Sequence, residues 1–527
     1  MKKTKMTAMF LAAIMAAAGV LAGCGNTTET TSAEVKLAGD NIYPVSCEDT
    51  LTYWMPLDTR LEGAVNSFGD TPLAKELEKR TGVKIEYVHP QAGQGAEQFN
   101  IMLASNELPD IVTYNWASYA GGADQAIDEQ YIYKLNDIID NYAPALKEYL
   151  KNHPEIDKKI KTDSGNYFAF PFVRGEDWMT SSQGLMLRKD WMDKLGLDEP
   201  RTLDELENVL REFKKMGAKA PLVLSTSHLQ IMLYAYGTAP DFYVDNGQVK
   251  YGFATEEYRQ ALEKAAQWYK EGLIDQNLIS ADAKYIQSRM LNGDAGACFG
   301  FVVSGMGALL DAKPDDTFDL MAIHQPTLDG GVPEYAYKED NVVPVAYVAI
   351  STNCKNPELA ARFLDYGYTE EGHMLFNFGI EGESYNMQDG KAVFSDVITN
   401  NPDGLSFAQA AVRYTRAQYS GIFEQDPGYV QQSLTYKEQQ QHAYDVWADN
   451  NMSEHLLPPI TLKPDEQSES ADIMSNISTY ASEKMIAYIT GKESLDTFDD
   501  YLAQLKTYGI ERAVELRQAA LERYNSR

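Results

Sequence analysis

Residues 167–192 read YFAFPFVRGEDWMTSSQGLMLRKDWM. The stretch begins with a short apolar run, Tyr167-Phe168-Ala169-Phe170, stopped by Pro171. A second run, Gly184-Leu185-Met186-Leu187-Arg188, leads into Lys189-Asp190-Trp191, where a helical pattern opens. Between them Arg174, Glu176, Asp177 and Trp178 show no periodicity. The pattern predicts strand, crossing, strand. An irregular charged segment carrying a Trp between two buried strands suits a chain passage that lines a cleft. The competing reading is a surface loop whose Trp packs locally.

Upstream, 47–166 reads as alternating strands and helices. Thr50-Leu51-Thr52-Tyr53-Trp54 is a strand ended by Pro56, and Thr71-Pro72 caps a helix that Gly82 stops. Val83–Tyr87 alternates as a second strand, Glu97–Ser105 is helical, and Ile111–Tyr114 is a third strand ending in Asn115-Trp116. This order implies a parallel α/β sheet. Ligands in such sheets sit beyond the carboxyl ends of strands. Trp54 and Trp116 therefore become candidates for one rim, with Asn115 beside the second and Asp58 in the loop after the first. Packing beneath a helix is the alternative for each ring.

Downstream, Thr202-Leu203-Asp204-Glu205 is a capping box, followed by Leu206, Val209, Leu210 and Phe213 on one helix face. Thr255–Gly272 is amphipathic with Gly272 just past its end. Ala295–Gly300 reads as a buried strand, and its end places Phe299 and Phe301 at the second rim. Asp319–Ile323 followed by Pro326 reads as a return crossing, and 345–366 as strand then helix. Ser470–Thr490 reads as a long helix, and Ser494–Arg527 carries apolar stripes at helical spacing.

Several strings, in order, resemble extracellular solute-binding proteins of the sugar-binding family, the receptors of ABC importers. They are Leu108-Pro109-Asp110-Ile111-Val112, the Gly165, Tyr167, Pro171 set followed by RKDWMDKLG at 188–196, WYKEGLID at 268–275, ISTNCKNPELA at 350–360 and GIEGESY at 379–385. The resemblance implies a two-lobe periplasmic-binding-protein-like fold of type II, with parallel-rich α/β sheets flanked by helices and a helical C-terminal segment. The boundaries it suggests are 47–172 plus about 318–385 for the first lobe. The second lobe takes 173–317 plus about 386–527. It implies hinge closure on a carbohydrate ligand, an oligosaccharide in the long-chain branch, and docking on ABC transporter permease subunits. Trp54, Asp58, Asn115, Trp116, Trp178, Phe299 and Phe301 are the ligand-binding candidates. Glu381 and Tyr385 either bond sugar hydroxyls or belong to a third crossing without ligand contact. Many long-chain members of the family carry a Ca²⁺ loop after the helix that the Thr202 capping box opens. Here the positions read Lys214-Lys215-Met216-Gly217-Ala218-Lys219-Ala220-Pro221, without carboxylates, so no metal is expected.

The amino end carries Lys2, Lys3 and Lys5, then the apolar run Met6–Leu21 and Leu21-Ala22-Gly23-Cys24. This matches a lipoprotein signal peptide over 1–23, with lipidation at Cys24 and a Thr-rich tether over 24–46. A lipid anchor on Cys24 would hold the protein on the cell membrane, facing outside the cytoplasm.

The 527 residues carry a net charge of −31, with 77 acids against 46 Lys and Arg. Such acidity argues against nucleic acid as a partner and favours a monomer. Cys47, Cys298 and Cys354 are scattered and odd in number, which argues against a disulfide framework. No CxxC, HxxxH, G-x-S-x-G, H-E-x-x-H, P-loop or G-x-G-x-x-G string occurs, and no cofactor or enzyme chemistry is expected. The alternative function is an exported polysaccharide-degrading lipoprotein of glycosidase type, since two suitably spaced carboxylates suffice for that chemistry.

Overall fold

The computed structural model describes residues 32–39, 41–313, 315–416, 421–433 and 437–527. The export signal and Cys24 lie outside the described residues. Two four-stranded sheets organise the chain. The first contains β1 (Thr50–Trp54), β2 (Lys84–Val88) and β3 (Ile111–Thr113). The second contains β4 (Gln183–Arg188), β5 (Leu222–Val223), β6 (Ala297–Phe301) and β7 (Leu320–Ala322). A late strand, β8 (Val348–Ile350), returns to the first sheet. The orders are β8-β3-β1-β2 and β7-β4-β6-β5. In the first sheet β8 alone runs antiparallel, pairing Val348 with Thr113. In the second β4 alone opposes its neighbours, pairing Phe301 with Gln183 and Leu320 with Arg188.

The strands and helices form for the local reasons the sequence carries. β3 and β8 are buried along their whole length, as near-continuous apolar runs require. The Thr71 hydroxyl accepts from the Ala74 amide at 3.1 Å, with Pro72 in the first turn. Thr202 and Glu205 complete their capping box at 3.1 and 2.9 Å, an arrangement worth about 1 kcal/mol. Behind it Leu206, Val209, Leu210 and Phe213 are buried against the second sheet's core. Gly272 ends the helix Glu256–Lys270 in the left-handed region (φ 65°), which a side chain would resist.

The join between the lobes differs from the sequence reading. Tyr167–Phe170 is not a regular strand; it pairs through isolated bridges, Lys161 with Tyr167 and Phe170 with Val348. Pro171 lacks an amide proton, so a ladder cannot continue through it. Instead three chain passages lie hydrogen-bonded side by side. Phe170 and Val348 exchange bonds at 2.8 and 3.0 Å, Arg174 donates to Asn341 at 2.8 Å, and Val173 donates to Phe423 at 3.2 Å. Leu320–Ala322, read as part of the return crossing, is a full strand of the second sheet, so the crossing proper follows it.

The segment after 385 also divides differently from the sequence reading. The helix Phe407–Tyr414 packs on Thr59–Leu61 and on the helix Pro72–Thr81, both parts of the first lobe. Glu424–Gln425 pairs with Val173–Arg174 and forms the third passage. The helix Glu438–Ala448 then lies against β4 and β7. The helices Pro464–Ile489 and Ile510–Ser526 pack together; Ile477, Ala481, Tyr488 and Ala513 join the second-lobe core. Their other ends reach the first lobe, where Asp163 takes ion pairs from Arg523 and Arg527. Among the described residues no helix is long and apolar enough to cross a membrane.

Candidate functional site

The carboxyl ends of β1, β2 and β3 define one rim, and those of β5, β6 and β7 with the start of β4 define the other. At the first rim β1 runs out through Trp54 and Met55 into the loop bearing Asp58. The Asp58 carboxylate accepts from the Arg60 amide at 2.9 Å and from its Nε at 2.7 Å. Burial pushes this carboxyl upward, but the bonds from Arg60 outweigh it and hold the group below its usual range. Arg416 stacks over the Phe68 ring at 5.1 Å and adds its charge to the same carboxylate. His89, just past β2, donates from Nδ1 to the Met55 carbonyl at 2.8 Å, and its Nε2 accepts from the Phe68 amide at 3.0 Å. Those two bonds fix a neutral tautomer, and burial lowers the ring's pKa accordingly.

The two Trp candidates of this rim are inside it. Trp54 and Trp116 keep 3% and 0% exposure. Both lean on Phe99, at 6.2 and 5.3 Å between ring centres. Phe99 stacks in turn on the half-buried Tyr114 at 3.5 Å. In this arrangement neither indole offers a face to a ligand, and Tyr114 is the ring of the group nearest solvent. Asn115 stays partly exposed at the rim, with a buried Oδ1 that has no hydrogen-bond partner among the described residues.

The crossing supplies the accessible aromatic. Trp178 is half-buried, set edge-on to Tyr444 at 5.0 Å, and its Nε1 donates to Glu176 at 2.6 Å. Lys338 from the return passage, its side chain 2% exposed, meets the exposed Asp177 carboxylate at 2.6 Å. Arg174 spans to Glu339 at 2.5 Å and to the Met179 carbonyl at 3.0 Å. At the second rim Phe301 is 42% exposed, while Phe299 is buried against His228 at 5.3 Å. A narrow gap there is lined by Gln183, Gly184, Phe299, Tyr337, Trp447 and Asp449. The Trp447 indole N–H is buried without a partner among the described residues.

Glu381 and Tyr385 stand elsewhere. Tyr385 is buried on Phe378 at 5.8 Å. Its phenol is raised by burial and by Glu381 and lowered by Arg80, which sits in the last turn of its helix, away from the carboxyl rim. The structure therefore brings Asp58, Asn115, Trp178 and Phe301 to the rims and the crossing, and leaves Trp54, Trp116, Phe299 and Tyr385 in the core. His89, His228, Tyr337, Arg416, Tyr444 and Trp447 join the site without any motif to mark them. A cavity of about 450 Å³ also lies away from this cleft, lined by Tyr251, Phe253, Met474, Met485 and Arg517.

A profile of bacterial extracellular solute-binding proteins matches residues 69–374, more than half the chain. The chain belongs to that family. Among curated relatives, Lipoprotein LipO of Bacillus subtilis (strain 168) is 25% identical over 528 residues, covering 96% of each chain. The fructooligosaccharide ABC transporter substrate-binding protein FusA of Streptococcus pneumoniae serotype 4 is 23% identical over 545 residues, covering 97% of each. The solved alginate-binding protein AlgQ2 superposes with a TM-score of 0.72 at 28% identity, covering 90% of this chain and 98% of that one. Solute-binding proteins of this kind are built on two lobes, which is the architecture of the two sheets and three passages here. Where the family resemblance would set a Ca²⁺ loop, the Lys214 ammonium bonds the Glu271 and Gly272 carbonyls, and Lys219 pairs with Asp294 at 2.8 Å. Among the described residues no group of three or more His, Cys, Asp or Glu is placed to hold a metal ion. Cys47, Cys298 and Cys354 are free thiols, with burial pushing Cys298 up to about 12.

Proposed function

We propose that this protein is the substrate-binding lipoprotein of an ABC importer. It captures an oligosaccharide between its lobes and passes it, unaltered, to the permease. The observation that carries the reading is the pairing of two rims across three hydrogen-bonded passages, with Trp178 on the passage and Phe301 and the Tyr337–Trp447 gap beyond it. Aromatic faces beside hydroxyl-binding carboxylates and amides suit sugar rings, whose C–H faces stack and whose edges hydrogen-bond. The names of the relatives point the same way, FusA to fructooligosaccharide and AlgQ2 to alginate. Closure by hinge motion needs a guest that touches both rims, because only contacts made in the closed form shift the equilibrium. Cys24 would tether the protein to the outer face of the cell membrane.

The test is thermal melting of the mature protein against a panel of tri- to pentasaccharides, with the sugar recovered and weighed by mass spectrometry. A binder at a hundredfold its Kd should stabilise by about 2.7 kcal/mol. Recovery of the intact sugar supports capture. A shortened sugar, or a panel without any shift, overturns it.

A further inference from the structure

We infer that the guest carries no negative charge where it meets the crossing, and that Glu176 and Asp177 make the cleft reject uronate-type sugars. This rests on the oligosaccharide reading above. The half-exposed indole of Trp178 is the stacking face the crossing offers, and Glu176 sits on its Nε1 at 2.6 Å. Asp177 is the adjacent residue, its side chain 76% exposed. A sugar stacked on Trp178 therefore lies within reach of two carboxylates. A hydroxyl can donate to either of them. The carboxylate of a uronate is repelled by both, unless a cation is available to bridge.

The cations near the site already have carboxylates. Lys338 is held by Asp177 at 2.6 Å and Arg174 by Glu339 at 2.5 Å. Arg60 is bonded to Asp58, and the charge of Arg416 falls on that same carboxylate. Lys159, beside the return passage, is engaged by Asp340 at 3.0 Å. His324, beside the gap, lies between Glu199 at 2.7 Å and Asp449 at 3.2 Å. Two further histidines at the rims stay neutral at pH 7: the pKa of His89 is lowered and that of His228 falls to about 4, in both by burial first. Recognition of an acidic sugar calls for forked arginine donors or a lysine aimed at the carboxylate. Here those donors face protein carboxylates instead. Over this arrangement lies the field of a chain at −31, which opposes the approach of any polyanion at moderate salt.

The experiment uses the mature wild-type chain at low and physiological salt. One panel is neutral: kestose, nystose, mannopentaose, xylopentaose and maltopentaose. The other is acidic: tetragalacturonate and tetramannuronate. Binding of a neutral sugar at least tenfold tighter than either acidic one supports the inference. An acidic sugar that binds as tightly as the best neutral one overturns it, while leaving the oligosaccharide reading intact. Binding of neither panel overturns that reading, and this inference with it.

Two variants probe the cause. Asp177→Asn leaves the Lys338 ammonium without its carboxylate, and Glu176→Lys places a cation on the exposed passage. Either variant should narrow the neutral-to-acidic ratio severalfold, with the gain shrinking as salt rises. A ratio unchanged in both overturns the role of these carboxylates.

Discussion

The indole N–H of Trp116 donates to the carbonyl of Val112 at 3.2 Å, turning the ring back under β3 instead of out over the cleft. With Phe99 and Trp54 it forms a closed aromatic cluster. Trp116→Ala should therefore lower the stability of the ligand-free protein, by about 3–5 kcal/mol. Urea or thermal unfolding of the apo form checks this. A variant that melts like wild type and loses only sugar binding would place the ring at the ligand after all.

The framework of the fold was legible because it is written in short-range signals. Caps at Thr71 and Thr202, stops at Gly82 and Gly272, and apolar runs at Ile111 and Ala297 each act within a few residues. The direction of a Trp at a strand end is set by what packs beneath it. Nothing near Trp116 in the sequence announces Phe99, which comes from a separate helix. Trp447 and Arg416 were illegible for the same reason, since tertiary folding alone brings them to the rims. The third passage, Glu424–Gln425, is only two residues long and leaves no periodic pattern to detect.

Trp178 and Phe301 should behave in the opposite way to Trp116. Each keeps substantial exposure, so truncation removes little buried area. Trp178→Ala and Phe301→Ala should each weaken sugar binding about tenfold, equivalent to the roughly 1.4 kcal/mol expected of a stacking contact, with the apo melt nearly unchanged. Isothermal titration beside apo melting separates the two quantities. Full-strength binding by both variants would remove these rings from the site.

Asp163 ties the C-terminal helices to the first lobe. Its side chain is 6% exposed and accepts from Arg527 at 2.6 Å and from Arg523, while Lys158 stands over the Tyr524 ring at 4.5 Å. Removing one partner of a buried pair leaves the other charge uncompensated, at a cost near 3–5 kcal/mol. Arg523 retains 25% exposure, so about 2 kcal/mol is the better figure for Asp163→Ala. The expected outcome is a lower melting temperature and faster proteolysis within 464–527. Wild-type protease resistance would mean that the tie contributes nothing.

Gly184 lies under Trp447, where an added Cβ would come within 2.3 Å of the indole. Gly184→Ala must push the ring or β4 aside, and overpacking of this kind costs about 1–3 kcal/mol. Because Trp447 lines the gap at the second rim, the same change should weaken sugar binding. Melting and titration of this variant check both effects. An alanine accepted without loss of either would show that the Trp447 ring moves freely.

His228 makes acid sensitivity a property of the second rim. Its half-buried ring packs on Phe299, and partial burial lowers its pKa from an ordinary 6.5 to about 4. The folded state therefore holds fewer protons on this group than the unfolded chain does between those values. Its contribution is fully present above pH 6.5 and is lost as pH falls through about 4. The shift corresponds to at most roughly 3 kcal/mol, less where water reaches the ring. Stability measured by denaturant between pH 7 and 4 should fall along this profile. His228→Gln should flatten that part of the curve, because the amide cannot take up a proton there. A variant with the wild-type slope would assign the acid sensitivity to another group.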